Sequence, residues 1–270
     1  MVTADAGGPA AAECGVAAFG VVRCPSEAFA PLRAELEASG WAAPAGNALK
    51  YADDQSAAAL GAVARAVRDF GLEGRSFAEW GLAAAARFLG RLTIIEAAAK
   101  FRVHGAPGVS PLILPFLSQH TTAGLLSLTL RLHGPNFGLG GGVGGAAEAL
   151  FAALTVQQTE QLPGVWAVAT EWDPEPAPAE GGRGAGPAVC HAAALALTPP
   201  PPAGAPGLRL RFVVAGGADD APLGAAALAA ALDDAAGGGP IDWRCPLGGG
   251  GWLGLVGTAA RPAARGPRAA

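Results

Sequence analysis

A chain of 270 residues that is 51% hydrophobic has the length for one α/β domain or two small ones, and the apolar content for a sizeable core. Its net charge of −4 and pI near 5.6 argue against a nucleic-acid partner, which would require a basic face to neutralise phosphates. Of the 18 basic residues only Lys50 and Lys100 are lysines, and together with the wealth of Ala and Gly this reads as base composition rather than function.

Residues 1–12 carry little apolar pattern and are expected to fray. "CGVAAFGVV" (14–22) reads as a strand, and "PSEAFAPLRAELEASG" (25–40) as a helix ending at Gly40. A second helix fits "DDQSAAALGAVARAVRDFG" (53–71), with Asp53 or Asp54 as its cap. Leu60, Val63, Val67 and Phe70 recur there at helical spacing, and Gly71 supplies the stop. "EWGLAAAARF" (79–88) fits either a strand with its following turn or a short helix. "RLTIIEAAAKFRVHG" (91–105) reads as helical, "VSPLILPFLS" as a Pro-punctuated connection, and "TTAGLLSLTLRLHG" (121–134) as a further helix. Residues 103–130 lack Asp, Glu, Lys and Arg, but Pro107, Pro111, Pro115, Gln119 and His120 break any continuous apolar span, so no membrane crossing is expected.

After a glycine-rich loop come a helix from about Gly144 to Gln158, the strand "GVWAVATEW" (164–172) and a flexible Pro/Gly-rich loop at 174–187. Trp172 and Asp173 read as a strand end. "AVCHAAALAL" (188–197) and "LRLRFVVAG" (208–216) suit two strands joined at the surface by "TPPPPAGAPG". "PLGAAALAAALDDA" (222–235) reads as a last helix, "GWLGLVGTA" (251–259) as a closing strand, and 261–270 as a fraying tail. The alternation predicts a layered α/β fold over 13–260 with a mainly parallel or mixed sheet. Cys14, Cys24, Cys190 and Cys245 are scattered and lack CxxC spacing, and no signal peptide precedes them. Buried free thiols in a reduced, cytoplasmic setting are expected. Cys190 and His191 are adjacent, so in a strand they face opposite ways and make a poor metal pair, and no metal or cofactor is expected.

The loop itself, "HGPNFGLGGGVGGAAEALFAAL" (133–154), places seven glycines between Gly134 and Gly145 without a Lys, Ser, Cys or Asp. Gly140, Gly142 and Gly145 satisfy GxGxxG, and Glu171 lies at about the distance of a ribose-binding acid, which is the dinucleotide reading. Against it, "RLHGPNF" is no continuous apolar strand, and the fingerprint normally opens the first βαβ unit. A broader alternative is an anionic ligand, a nucleotide or an acyl-CoA-type thioester, held by the loop's backbone N–H groups. Glu148 reads as a polar edge of its helix rather than a buried carboxylate.

Residues 110–154, "SPLILPFLSQHTTAGLLSLTLRLHGPNFGLGGGVGGAAEALFAAL", resemble the N-terminal half of β-ketoacyl synthases of the thiolase fold. In that family a Ser-Pro and Pro-containing run precedes an Ala-Gly-bearing helix. Gly-Pro-Asn or Gly-Pro-Ser follows, then a strand, then a nucleophilic cysteine on an elbow opening a buried helix. Counted without gaps from Gly134-Pro135-Asn136, the cysteine position falls on Val143, and the helix aligns with Ala146, Ala147, Glu148, Ala149 and Leu150. The resemblance spans roughly residues 50–200. A helix N-terminus stabilises a thiolate, and adjacent N–H groups an oxyanion, but valine is no nucleophile. The family's two C-terminal histidines lie in Thr-Gly-Thr and Gly-His motifs, whereas the only histidine after this elbow is His191, in "VCHAA".

The chain is similar to two groups of cysteine-less relatives: chain-length factors of aromatic polyketide pathways, which pair with an active synthase, and short synthase-like proteins of aryl-polyene-type biosynthesis. His120 in "SQHTTAG" matches a histidine at a helix start in the latter. The resemblance implies a thiolase-like domain reduced in its C-terminal half, with no catalytic residue of its own. It implies His120, Phe137, Gly141, Gly142, Val143 and Gly144 as ligand-binding or interface residues. The partner it implies is a second copy or an active ketosynthase, with an acyl carrier protein as a further one. A purely structural homodimer is the remaining alternative, because in the thiolase fold the elbow lies near the subunit contact.

Overall fold

Strand β1 (Ala12–Pro25) shows how the sheet is organised. It pairs with β5 on one side and β6 on the other, and a register irregularity between Val16 and Ala18 marks a bulge where the pairing with β5 shifts. Against one face lies α3 (Asp54–Asp69). Contact there is backbone to backbone: a Cβ on Gly20 would stand 2.1 Å from the Ala62 carbonyl oxygen. The alanines and Gly61 along α3 are therefore what lets helix and sheet approach. Asp53, not Asp54, caps the helix, accepting from Gln55 N at 2.8 Å, while Asp54 takes the Arg33 guanidinium at 2.8 Å.

The computed structural model describes residues 11–111, 113, 117–177, 187–214, 223–247 and 250–259. The other strands are β2 (Gly81–Arg87), β3 (Asn136–Leu139), β4 (Val165–Asp173), β5 (Val189–Thr198), β6 (Leu208–Val214), β7 (Pro240–Leu247) and β8 (Gly251–Thr258). The remaining helices are α1 (Phe29–Ala38), α2 (Ala48–Tyr51), α4 (Arg91–His104), α5 (His120–Leu130), α6 (Gly145–Glu160) and α7 (Ala225–Ala236). The eight strands form one sheet in the order β3-β2-β4-β5-β1-β6-β8-β7. β2 is parallel to β3 and β4, and every other pairing is antiparallel. Of the two sheet types expected, the mixed one is found. β4 and β5, and β7 and β8, are neighbours in the sheet as well as in the chain, and they run antiparallel.

Helices α1, α3 and α5 cover one face, with Val22, Leu60, Leu126 and Trp166 in the core beneath them. α6 and α7 cover the other, over Phe19, Leu150, Leu195 and Leu228. Segment 79–88 resolves as strand β2, its residues Gly81–Ala86 all buried. Alanine favours helix, but a run flanked by two strands and covered on both faces is held by its neighbours. Trp80 leads into it, packed on Phe77 and Trp166 at ring separations of 5.0 and 6.0 Å.

Several boundaries differ from the sequence reading. Ala12, placed in a fraying segment, opens β1 opposite Phe212, and Ala11 N before it donates to the Phe212 carbonyl at 2.8 Å. Residues 1–10, 178–186 of the Pro/Gly-rich loop, and the tail 261–270 lie outside the described residues. β7, in "PIDWRCPL", has no counterpart among the expected strands. Its Pro residues at both ends and its Asp242 and Arg244 masked the alternation of Ile241, Trp243 and Cys245, which face inward. All four cysteines are buried free thiols. Cys24 and Cys190, far apart in sequence, oppose each other across the β1–β5 ladder.

Candidate functional site

The C-terminal ends of β2 and β3 gather the residues that the sequence marks out. β3 is the sheet's outermost strand, with Phe137 opposite Ala83 of β2. After Leu139 the chain turns through Gly140–Gly144 into α6. Gly145 N donates to the Gly142 carbonyl at 3.0 Å, and Gly144 sits at φ −81°, ψ 7°. That is a tight turn with Val143 as its first corner residue. Val143 is 49% exposed, so the corner projects outward at a strand-to-helix bend.

The glycines of this loop serve closeness rather than unusual dihedrals, since none from Gly134 to Gly145 has a positive φ. A Cβ on Gly134 would meet the Trp80 carbonyl oxygen at 2.6 Å. One on Gly138 would meet the Gln119 oxygen at 2.5 Å and His120 Cα at 2.6 Å, and one on Gly141 the Ala86 oxygen at 2.5 Å. The loop is thus pressed onto β2 and onto the start of α5. Gly140 faces open space, and Glu148 Oε1 lies 4.0 Å from where a Gly142 Cβ would stand. Glu148 suits the positive end of α6, but it sets a carboxylate beside the N–H groups an anion would use. An anion-cradling nest alternates right- and left-handed residues, and this loop lacks the left-handed ones.

His120 is the first residue of α5 and is exposed, its backbone against Gly138. Phe137 is 42% exposed. The structure thus brings His120, Phe137, Gly141, Gly142, Val143 and Gly144 to one end of the sheet. Glu171 is elsewhere engaged: it is buried, accepts from Ala226 N at 2.7 Å, and pairs with Arg87 at 3.7 Å. It caps α7 rather than facing the glycine loop. β4, which carries it, is separated from β3 by β2, an order unlike the adjacent strands of a dinucleotide-binding βαβ unit. His191 lies across from Glu171 in β5, and burial holds it below its ordinary range.

Sequence reasoning missed a buried polar group at the same end of the sheet. Asp53 accepts from Gly90 N at 3.1 Å as well as from Gln55 N, tying the start of α3 to the turn after β2. Burial pushes its carboxyl up to about 6. Ser56 and Thr122 share a hydrogen bond at 2.8 Å between α3 and α5. A capping signal marked Asp53, but nothing local could reveal its second partner.

No family model matches the chain, and no curated protein matches it in sequence. Solved structures do. A ketosynthase (ApeO) in complex with its chain length factor (ApeC) from Xenorhabdus doucetiae is similar over 90% of this chain and 98% of the matched one, at 13% identity and a TM-score of 0.53. The chain has the ketosynthase fold. A β-ketoacyl synthase from Burkholderia phymatum aligns at 17% identity and a TM-score of 0.49, over 70% of this chain and 59% of that one. A type II polyketide synthase acyl-carrier protein in complex with its ketosynthase, AntDE:AntF, aligns at 13% and 0.48, over 70% and 63%. The ketosynthase-like chain therefore spans less than two thirds of the latter two. Among its described residues, no helix is long and apolar enough to cross a membrane.

Proposed function

We propose that this chain is a catalytically silent ketosynthase-like subunit that pairs with an active β-ketoacyl synthase and shapes an acyl chamber at the shared interface. The observation that carries this reading is Val143 at the outward corner of the turn between β3 and α6. A side chain there meets the start of a helix, where a thiolate would be stabilised, yet it carries no ionisable group. Beside it runs β3, an outermost strand of four residues bearing the half-exposed Phe137 and neither charge nor proline. Such an edge offers free backbone groups to a second chain. Pairing there would place Val143 next to the partner's surface, and Asn136–Leu139 has the geometry for strand addition.

Co-expression with a β-ketoacyl synthase encoded beside it tests the proposal. Co-elution, with a change in the length of the acyl product when this chain is added, is the expected result. Condensation by the isolated protein, or a synthase whose products are indifferent to it, overturns the reading. Self-association without any synthase contact would favour the homodimer instead.

A further inference from the structure

We propose that His191 makes the seating of α7 on the sheet sensitive to pH, the helix loosening when the imidazole takes up a proton. Ionisable residues stand in one row across four adjacent strands. Arg87 of β2 is opposite Glu171 of β4, Glu171 is opposite His191 of β5, and His191 is opposite Arg23 of β1. Alternation along β5 decides which way the histidine points. Cys190 and Ala192 belong to the core under α3 and Ala193 to the core under α7, so His191 lies on the α7 face.

α7 is tied to both neighbours of His191 in that row. Glu171 accepts from Ala226 N in the first turn of the helix at 2.7 Å, and Arg23 pairs with Asp233 at 2.9 Å. The glycine at the head of the helix serves the first tie, because a Cβ on Gly224 would collide with the Glu171 carboxylate. Across the sheet Glu171 and Arg23 are two strands apart, about 10 Å. Along α7 the tied positions are seven residues apart, also about 10 Å. The helix thus bridges β5 where His191 stands. Ser26 N donates to the Ala188 carbonyl, so by alternation Arg23 and His191 form a non-hydrogen-bonded pair, the type whose side chains lie closer.

An uncharged imidazole suits this place and a charged one does not. Burial is the largest influence and holds His191 below its ordinary range; Glu171 works against it, Arg23 with it, and Asp173 at the end of β4 against it. α7 brings Asp233, already taken by Arg23, and the exposed Asp234, while Arg87 stands on the far side of Glu171. A proton on His191 therefore demands water beneath the helix, sets a second cation beside Arg23, and draws the Glu171 carboxylate from Ala226 N. Both ties weaken together. The folded protein binds this proton less readily than the unfolded chain. The stability involved is therefore full above the ordinary imidazole value of 6.5, and is lost as pH falls through the folded one. The other three histidines, His104, His120 and His133, are exposed, and nothing in this device depends on pairing at β3.

Hydrogen exchange of the full chain tests this, with α7 followed at about pH 7.5 and about pH 5 and corrected for intrinsic rates. Protection of Ala225–Ala236 is expected to fall in acid, by up to about tenfold for each unit by which the fold lowers the histidine, while α5 keeps its protection. His191→Gln, neutral throughout, should abolish the acid loss, and a thermal melt verifies that this half-buried position tolerates the change. A melt of the parent alone does not isolate the effect, because buried Asp53 titrates at about 6 in the opposite sense. In the unmodified protein the His191 ring resonance, assigned from the variant, should titrate below 6.5. Protection of α7 that does not fall, an equal loss in His191→Gln, or a histidine midpoint at or above 6.5 overturns the proposal.

Discussion

The two margins of the sheet are finished in opposite ways. β7, at one end, carries Pro240 and Pro246, an Asp242–Arg244 ion pair at 3.1 Å, and Arg244 stacked over the Trp252 ring at 4.9 Å. These are devices that stop a strand from recruiting another chain. β3, at the other end, has only Asn136, Phe137, Gly138 and Leu139, backed by the start of α5 and followed by the Val143 corner. One edge is closed to partners, and the other is left open where the elbow lies. The contrast supports the proposal that assembly uses the open margin.

Charging the open margin should have the largest effect. Phe137→Asp is expected to abolish co-elution with a synthase while leaving unfolding within about 0.5 kcal/mol of the parent, because the side chain is half exposed. If the pair survives that change, the contrast between the edges loses its functional meaning.

A second effect comes from the brace behind that margin. Asp53 holds the turn after β2, and its carboxyl is raised from 3.8 to about 6 by burial. Its folded value lies above its unfolded one, so the stability it confers is full below about pH 3.8 and is lost as pH rises through about 6. The loss is on the order of 3 kcal/mol. Urea unfolding between pH 4 and 7 should show this slope, and Asp53→Asn should flatten it. A slope unchanged in the variant would sink the assignment.

Smaller still is the response of glycines near the two margins. Gly138→Ala drives a methyl into backbone at 2.5 Å and is expected to cost about 1–3 kcal/mol. Gly254→Ala, behind the closed margin, meets the Trp252 ring at 2.4 Å, an atom of a side chain that can swing away, so it should cost less and uncover Arg244. Gly140→Ala points into open space and should be neutral or stabilising by a few tenths of a kcal/mol. Chemical denaturation of the three variants ranks them, and a reversed order would contradict the packing described. Arg244→Ala, the mildest change, should leave both stability and pairing untouched.

Much of the candidate site was legible because its signals are local. The helix after the glycine loop followed from the loop and the apolar run behind it, whereas the strand before the loop and His120 at a helix start came with the family resemblance. The partners of these residues were not legible. Gly138 against His120, Gly141 against Ala86, Asp53 on Gly90, and Glu171 on the first turn of α7 all join segments distant in sequence.

By itself the sequence determined where the chain bends and which faces are apolar, because periodicity and turn chemistry act over a few residues. It located valine at the position where the resemblance places a nucleophile. Only the tertiary structure decided that an alanine run at 81–87 is a strand, that "PIDWRCPL" guards an edge, and that β3 is left open. Those outcomes depend on which strands lie side by side and what covers them, and contacts between remote segments leave no period in the chain to read.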